Sequence, residues 1–242
     1  MIIFIAVSKP KVYTNLKTIY YQKGLSIMTE ITIDIVRHGE TYLNQLGRAQ
    51  GWIDMELDPH GLEQASATGK ALADTYYNII ISSDLKRAVQ TRDRIIKHLK
   101  HVPDVAYTDK TFREVFFGYF EVLDSEANWR TIAVQHGYQD HDDIIRHESL
   151  KAGRNMMHDM DPTGQAESYD EIIARWRRGL KTLVDKADDG DRFLLVTHGT
   201  FIRTIADALG VDTVGNFPTN AGVTTITANE NGAKMVEYNH KF

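Results

Sequence analysis

Residues 31–44 read Ile-Thr-Ile-Asp-Ile-Val-Arg-His-Gly-Glu-Thr-Tyr-Leu-Asn, and this stretch decides the fold. Its first six residues are mostly apolar, with isoleucine at positions 31, 33 and 35, which is the pattern of a buried strand. The apolar run ends abruptly at Arg37-His38-Gly39. In α/β folds, ligands bind at the edge of the sheet where such strands end. The stretch therefore predicts a strand that delivers a cation and an imidazole to a binding edge.

A second stretch repeats this arrangement far along the chain. Residues 193–196, Phe-Leu-Leu-Val, are apolar, and Thr197-His198-Gly199-Thr200 follows at once. Because the carboxyl ends of parallel strands lie at one edge of a sheet, we expect His38 and His198 to meet there. The two stretches together predict one pocket that contains two imidazoles.

The remaining segments alternate between helix and strand patterns. Helices are predicted from about residue 60 to 76, after the helix-start signal Asp58-Pro59, and at 85 to about 101, 168–186 and 201–209. Short strands are predicted at 79–81 and 105–107, and a hairpin joins 223–227 to 234–238. This order predicts an α/β fold, a three-layer sandwich whose mostly parallel, mixed central sheet is flanked by helices.

One domain accounts for residues 29–242, with a helical insertion at about 124–165 that lacks a strand signal and that we interpret as a lid. Residues 1–28 form an N-terminal extension without a clear period. We hypothesise that the natural protein starts at Met28 and that the upstream part reflects the choice of start site. The alternative is a genuine N-terminal strand or arm that packs on the domain.

The bulk composition excludes several classes of function. The net charge of −5 argues against non-specific nucleic-acid binding, which needs a basic surface. The absence of cysteine excludes disulfides, thiolate catalysis and cysteine metal sites. No apolar run approaches the roughly 20 residues that span a bilayer. We therefore expect a protein that binds neither nucleic acid nor membrane. The absence of cysteine does not fix the compartment; we expect a cytoplasmic protein, and the sequence leaves its oligomeric state open, a homodimer included.

The residues around His38 are suited to attack on phosphorus. A neutral imidazole is nucleophilic, and its ordinary pKa of about 6.5 makes that form available near neutral pH. Gly39 lets an anion approach the backbone closely, and Arg37 can hold two phosphate oxygens at once. The alternative is that His38 is only a structural hydrogen-bond donor.

Two further residues could take part in such chemistry. Arg87 is predicted in the first turn of a helix, where free amide groups favour anions, although a surface position is the alternative. Glu114 stands between Arg113 and a run of aromatic residues, so desolvation could raise its pKa and make it a general acid. The alternative for Glu114 is a simple ion pair with Arg113.

Five motifs in a fixed order carry a resemblance to a known family. The motifs are Arg37-His38-Gly39-Glu40-Thr41 with Asn44, Gln50-Gly51-Trp52-Ile53-Asp54, Ser82 to Thr91, Phe112 to Gly118, and Val196-Thr197-His198-Gly199. From Ile31 onward the chain resembles the histidine phosphatase superfamily, specifically its phosphoglycerate mutase-like branch.

The resemblance implies roles for individual residues. His38 would be the nucleophile that becomes a phosphohistidine, and Glu114 would be the proton donor. The implied catalytic set is His38, Glu114 and His198. The implied substrate-binding set is Arg37, Asn44, Gln50, Gly51, Arg87 and Gly199. Neither a metal nor a cofactor is implied, because protein cations would neutralise the phosphate of a small phosphorylated substrate.

The family contains phosphatases and mutases, and the sequence favours a phosphatase. Glycolytic mutases that this family resembles carry a tyrosine shortly after the acid and a proline-rich segment downstream. Here Val115-Phe116-Phe117 follows Glu114, and no proline lies between Pro103 and Pro162. The alternatives are a mutase primed by bisphosphoglycerate and a non-catalytic module that binds phospholigands. A further departure is Val122, because phosphatase-like members often have glycine after the glutamate at this point.

The insertion is rich in histidine, but its histidines follow no known zinc spacing. They are His136, His141, His147 and His158. We therefore interpret the region as a solvated helical lid rather than a metal site. Its larger apolar residues, Trp129, Met156 and Met157, and Tyr169 beyond it could line a substrate pocket or form a small core of their own.

Overall fold

The protein contains a six-stranded mixed sheet in the order β3-β2-β4-β1-β5-β6. The structure is a computed structural model that describes residues 29–242, so the hypothesis about residues 1–28 lies outside the described residues. The strands are β1 Ile31–Arg37, β2 Ile79–Ser82, β3 Ala106–Thr108, β4 Arg192–Thr197, β5 Val223–Asn229 and β6 Gly232–His240. The predicted hairpin is formed by β5 and β6.

Four neighbouring strands are parallel, and their carboxyl ends meet at one edge. β1 pairs with β4, β4 with β2 and β2 with β3 in parallel, whereas β5 and β6 are antiparallel. Arg37 at the end of β1 is in register with Thr197 at the end of β4. The residues that follow these two positions, His38 and His198, therefore leave the sheet side by side.

Helices cover both faces of the sheet, which confirms the predicted α/β fold. Within residues 29–242 the α-helices are α1 Tyr42–Gln45, α2 Pro59–Ala71, α3 Lys86–Ile96, α4 Ser125–Gln135, α5 His141–His147, α6 Leu150–Met160, α7 Tyr169–Lys186 and α8 Gly199–Ala208. One core contains Trp176 of α7 and Phe201 of α8, and the other contains Ala88 and Ile95 of α3. None of the helices in this part of the chain combines the length and apolar character that crossing a bilayer requires.

Two predicted helices end about five residues earlier than expected, at Ala71 and Ile96. The chain after α2 turns so that Tyr77 is buried beneath the sheet, where its hydroxyl donates to Asp34 Oδ2 at 2.8 Å. Asp34, the one charged residue in the apolar run of β1, also accepts two hydrogen bonds from Arg192. After α2, the hydrogen bond of Tyr77 to Asp34, which is distant in the chain, therefore overrides the helical periodicity.

The insertion contains three helices, α4 to α6, that pack on one another and reach the carboxyl edge of the sheet. Arg203 of α8 connects them to the domain, since its guanidinium donates to Asp142 of α5 at 3.3 Å and to the Thr213 carbonyl at 2.9 Å. The predicted helical character of this region is therefore observed, and the insertion lies where it can reach a ligand at the sheet edge.

Val122 has a φ of +66°, the left-handed conformation that a β-branched residue rarely adopts. Its amide donates to the Ala49 carbonyl at 2.8 Å, which holds the chain in this conformation. We expect Val122→Gly to stabilise the protein by about 1 kcal/mol, because the relieved strain exceeds the entropic cost of glycine.

Thermal denaturation should show Tm rising by about 2–4 °C in Val122→Gly. The matched control is Val236→Gly, which changes an exposed valine in β6 that has no such strain and should lower Tm. An equal decrease in both variants would show that the conformation of Val122 costs nothing.

Candidate active site

His38 follows β1 directly and is almost completely buried. Its Nδ1 lies 2.7 Å from the Gly39 carbonyl oxygen, and its Nε2 lies 3.2 Å from Nε of Arg87. Because a guanidinium can only donate, Nε2 must be the acceptor, and the ring proton is on Nδ1 and donates to Gly39. The unprotonated ring nitrogen of His38, which carries the lone pair, is therefore Nε2.

The surroundings of His38 keep its ring neutral. Burial, followed by the positive charges of Arg87 and Arg37, lowers the pKa of His38 well below its ordinary value. Burial and both arginines disfavour the imidazolium, because its positive charge would be desolvated and would be repelled by two neighbouring cations. The ring of His38 is thus neutral across the physiological pH range.

Arg87 lies in α3 and is fully buried, so the alternative of a surface arginine is wrong. Its terminal nitrogens donate to three backbone carbonyls, those of Ile53 at 2.9 Å, Gln50 at 3.3 Å and Gly51 at 2.7 Å. Burial lowers the pKa of Arg87 to about 10, which leaves it charged at neutral pH. A fixed cation therefore lies beside the His38 imidazole.

The loop that holds Arg87 is itself held by Glu121. The carboxylate accepts hydrogen bonds from the backbone amides of Gly51, Trp52, Ile53 and Phe117. A Cβ at position 51 would overlap this carboxylate, so glycine is required there. Gly51 therefore contributes its backbone and its small size.

Arg37 approaches His38 from the other side of the pocket. Its Nη1 donates to the Pro218 carbonyl at 2.6 Å, and its guanidinium lies 5.2 Å from the centre of the Phe217 ring. Burial lowers its pKa to about 10, so it is also charged at neutral pH. A Cβ at Gly199 would come within 2.9 Å of Arg37 Nε, so glycine is needed there for packing.

His198 is the N-cap residue of α8 and is fully buried. The centres of its ring and of the His38 ring are 5.2 Å apart, so the predicted convergence of the two imidazoles is observed. Burial, then the charges of neighbouring groups led by Arg87, lowers the pKa of His198 well below its ordinary value. Neither ring nitrogen of His198 has a hydrogen-bond partner within residues 29–242.

Glu114 is buried, and its carboxylate accepts three backbone N–H groups. Val115 and Phe201 donate to Oε1 at 2.9 and 2.8 Å, and Thr200 donates to Oε2 at 3.0 Å. Burial nevertheless raises the pKa of Glu114 above its ordinary value. Arg113 pairs with Asp84 at 2.6 Å instead, so the alternative of a simple ion pair between Arg113 and Glu114 is wrong.

The side chains of Asn44 and Gln50 complete the predicted set. Asn220 donates from Nδ2 to the His38 carbonyl at 3.0 Å and to Asn44 Oδ1 at 3.2 Å. Gln50 accepts a hydrogen bond from Thr41 at 2.8 Å, while its Nε2 has no partner in the described part of the chain. Asn44, Gln50 and Asn220 therefore lie in the cavity wall beside His38.

These groups surround a cavity of about 320 Å³ at the carboxyl edge of the sheet. Five of the predicted residues line it, namely Arg37, His38, Asn44, Gln50 and Glu114. Arg87 and His198 contact His38 directly, while Gly51 and Gly199 contribute close backbone packing. The cavity and the groups directly behind it therefore bring together a neutral imidazole, the cations Arg37 and Arg87, and a carboxyl group.

The sequence model of the Histidine phosphatase superfamily (branch 1) matches residues 33–241, which include every residue of this cavity. The chain belongs to the histidine phosphatase superfamily. A relative from Arabidopsis thaliana, Phosphoglycerate mutase-like protein 4, is 33% identical over 174 residues, which are 72% of this chain and 68% of that protein.

Other members of the superfamily carry different names. The Metal-independent phosphoserine phosphatase of Arabidopsis thaliana is 30% identical over 192 residues, which are 76% of this chain and 71% of that protein. The solved structure of a phosphoglycerate mutase from Bacillus anthracis str. Sterne matches with a TM-score of 0.79 at 28% identity, covering 88% of this chain and 94% of that one. Enzymes of both kinds therefore resemble this chain.

Several residues of this superfamily member that support the site were not predicted. Arg175 of α7 donates to the carbonyls of Arg113 at 2.7 Å and Glu114 at 3.2 Å, and it forms two hydrogen bonds with Glu167. It holds the segment that carries the carboxyl group of Glu114. The sequence offered only its place on the helix, which resembles that of any surface arginine.

The polar segment before β5 was also missed. Residues 216–222, Asn-Phe-Pro-Thr-Asn-Ala-Gly, contribute Phe217 and Asn220 to the cavity wall. Because β5 is antiparallel to β1, its first residue lies at the edge where β1 ends. The loop that leads into a strand antiparallel to β1 must pass the edge of the sheet where β1 ends. This topology could therefore have identified residues 216–222 as part of the site.

The insertion contributes the wall of a second cavity of about 280 Å³, which shares residues with the first. Trp129 and Met157 line it, whereas Tyr169 packs with Leu150 and Ile173 in a separate small core. His141 stacks on Trp129 with ring centres 3.6 Å apart. Of the residues predicted to line either a substrate pocket or a small core, Trp129 and Met157 therefore line a cavity, whereas Tyr169 belongs to a small core.

The other histidines of the insertion have local backbone contacts. His136 Nδ1 lies 2.9 Å from the Ile132 carbonyl, His147 Nδ1 lies 3.0 Å from the Asp143 carbonyl, and His158 Nδ1 contacts the Ala166 carbonyl. Among residues 29–242, no group of three or more His, Cys, Asp or Glu side chains is arranged to hold a metal ion.

Proposed function

We propose that this protein is a metal-independent phosphomonoester hydrolase that acts on a small phosphorylated metabolite through a phosphohistidine intermediate at His38. The observation that carries the proposal is the unprotonated Nε2 of His38, which lies 3.2 Å from Nε of the buried Arg87, at a cavity that His38, Arg37 and Glu114 line. An acid, a nucleophile and two cations around one cavity are the groups that transfer of a phosphoryl group requires.

In the first step, the Nε2 lone pair of His38 attacks the phosphorus atom of the ester. The N–P bond forms while the bond from phosphorus to the leaving oxygen breaks, and Arg87 transfers its hydrogen bond from Nε2 to a phosphoryl oxygen. Glu114, whose raised pKa favours the protonated form, donates its proton to the leaving oxygen and releases an alcohol.

In the second step, the Glu114 carboxylate takes a proton from a water molecule, whose oxygen attacks the phosphohistidine. The N–P bond breaks, inorganic phosphate leaves, and His38 and Glu114 return to their starting protonation states. The same carboxyl group therefore serves as acid and then as base.

Protein cations stabilise the charge on the transferred group in both steps. Arg37 and Arg87 are fixed by backbone carbonyls, so they need little reorganisation when negative charge moves onto the phosphoryl oxygens. His198 can donate a further hydrogen bond, since both its nitrogens lack partners within the described residues. These side chains can therefore stabilise the negative charge of the transferred phosphoryl group without a metal ion.

A phosphoglycerate mutase is the second candidate, because proteins with that name match the chain. Such an enzyme needs a bisphosphoglycerate primer to keep its histidine phosphorylated. Hydrolysis is favoured by the aromatic residues Phe116 and Phe117 after the acid, where the mutase pattern has tyrosine. A non-catalytic binding module is disfavoured, since a binder would not need the carboxyl group of Glu114.

The test is incubation of the purified protein with a panel of phosphate esters in EDTA, with and without 2,3-bisphosphoglycerate. Release of inorganic phosphate that is absent in His38→Ala supports the hydrolase. Isomerisation of 3-phosphoglycerate that depends on the primer and releases no phosphate would replace it with the mutase. Binding without either reaction would replace it with the module.

The pH dependence of kcat/KM follows from the two shifted pKa values. The lowered pKa of His38 keeps its neutral form at acidic pH, and the raised pKa of Glu114 keeps its acid form to a higher pH than usual. We therefore expect the maximum on the acidic side of neutrality, with activity falling as Glu114 deprotonates. A rate that rises steadily from about pH 6 to about pH 9 would contradict these assignments.

A further inference from the structure

Arg154 of α6 is a buried cation that the proposed reaction does not use. Its side chain is only 3% exposed, and it lines the second cavity, below the insertion. Its guanidinium carbon lies 4.6 Å from the ring centre of Trp129 and 5.6 Å from that of Phe117. Aromatic faces attract a guanidinium, but they do not neutralise its charge.

No carboxylate forms an ion pair with Arg154 in the part of the chain that the structure describes. Its Nη1 lies 3.8 Å from the Met157 sulfur, a weak acceptor, and its Nε has no partner within residues 29–242. Buried arginines are ordinarily paired with an anion, because an uncompensated charge in a protein interior is costly. The arrangement is therefore suited to an anion that enters from outside.

The charged groups near Arg154 do not neutralise it by direct contact. Burial lowers the pKa of Arg154 to about 9, which still leaves it charged at neutral pH; the charge of Glu114 opposes this shift, and the charge of Arg203 has a smaller effect in the same direction as burial. Glu114 is already held by backbone amides, and Arg203 is paired with Asp142. His141 stands in the same cavity, and its Nε2 is buried without a partner among the described residues.

The second cavity adjoins the one that contains His38. Both are lined by Phe117, Thr200 and Phe217, so these residues form a shared boundary. An ester whose phosphoryl group lies at His38 can extend its leaving group past that boundary toward the insertion. Arg154 would then face the far end of the leaving group.

We propose that Arg154, together with Nε2 of His141, forms a second anion subsite that binds a carboxylate or second phosphate on the leaving group. The preferred substrates are thus phosphomonoesters with a second anionic group. A guanidinium matches both kinds of anion because its planar N–H groups can hold two oxygens at once. This inference rests on the proposed hydrolase function and specifies its substrate class.

The test compares kcat/KM for pairs of esters that differ only in the second anionic group. One pair is 3-phosphoglycerate and glycerol 1-phosphate, and the other is propane-1,3-diyl bisphosphate and 3-hydroxypropyl phosphate. The wild-type protein should prefer the anionic member of at least one pair by about 10- to 100-fold, as expected for charged hydrogen bonds. The pair that shows the larger ratio distinguishes a carboxylate from a phosphate.

Arg154→Met should remove this preference by lowering kcat/KM for the anionic ester alone, with the neutral partner changed by less than about threefold. The variant should fold, because it removes a buried charge that has no carboxylate partner. Arg146→Met, an exposed arginine in α5, is the matched control and should keep the preference. Arg154→Lys keeps the positive charge but lacks the planar guanidinium, so it should retain only part of the preference for the anionic ester.

The outcomes separate the two proposals. If the wild-type protein hydrolyses both members of each pair equally well, the hydrolase stands and the subsite is wrong, whether or not Arg154→Met folds. If no ester is hydrolysed, the hydrolase is wrong, and isothermal titration calorimetry then measures binding of the same esters. Equal affinity for 3-phosphoglycerate and glycerol 1-phosphate in that measurement would also overturn the subsite.

Discussion

His38→Ala should lower kcat for every phosphate ester by at least about 10⁴-fold, the scale of loss when a covalent nucleophile is removed. Alanine offers no lone pair to phosphorus, and neither Arg87 nor Arg37 can act as the nucleophile in place of His38. Release of inorganic phosphate in EDTA measures the effect. Binding should change far less than kcat, because the cations that hold the phosphoryl group remain.

The matched control is His101→Ala, an exposed histidine that lies outside the cavity and should keep wild-type activity. Thermal denaturation should show that His38→Ala remains folded, since the other hydrogen bonds of Arg87 are to backbone carbonyls. A folded His38→Ala protein with more than about a tenth of wild-type activity would exclude His38 as the nucleophile.

Glu114→Gln should slow hydrolysis of an alkyl phosphate by about 10²- to 10⁴-fold, the range for loss of a general acid. The same variant should cleave 4-nitrophenyl phosphate almost as fast as the wild type in the step that forms the phosphohistidine. Nitrophenolate is stable without a proton, whereas an alkoxide is not. The measurement is the pre-steady-state burst with each ester.

The Glu114→Gln variant also changes a hydrogen-bonding position, which needs its own control. Both carboxylate oxygens accept backbone N–H groups, so the amide of glutamine would oppose at least one of them and cost about 1–3 kcal/mol of stability. Glu114→Asp keeps a carboxylic acid. Its rates should therefore not depend on the leaving group of the ester, although they should be lower than those of the wild type. Glu63→Gln, at an exposed position of α2, should behave as wild type. Equal losses with both esters in Glu114→Gln would argue for a structural role only.

The parts of the site that the sequence predicted are those set by local periodicity and strand direction. Two apolar runs that end in His-Gly become the parallel neighbours β1 and β4, and their register places His38 beside His198. Arg87 was predicted near a helix N-terminus, and it is brought in by β2, the other parallel neighbour of β4. Parallel topology alone accounts for these three positions.

The parts that could not be predicted depend on contacts between distant segments. Charge makes Arg154 and Arg175 resemble surface residues, yet both are buried, Arg154 against aromatic rings and Arg175 against Glu167 and backbone carbonyls. Asp34 interrupts an apolar strand because its partners come from elsewhere in the chain. Periodicity contains no information on such partners, which only the assembled fold brings together.

The insertion shows the same limit in its substrate-facing residues. Its helical character is readable from the absence of strand patterns, but the side chains that face the cavity depend on how α4 to α6 pack over the sheet edge. Trp129 and His141 stack in that wall although they are on different helices. The place of Arg154 in the cavity wall, on which its proposed role rests, follows from this packing and not from any local motif.

Identification of the phosphorylated residue during turnover is the decisive experiment for the role of His38. The wild-type protein is mixed with a ³²P-labelled ester, quenched in alkali within milliseconds, digested and mapped by mass spectrometry. We expect an alkali-stable, acid-labile phosphoryl group on His38, formed and lost at rates that match phosphate release. Phosphate release with no labelled protein, or with the label on another residue, would contradict that role.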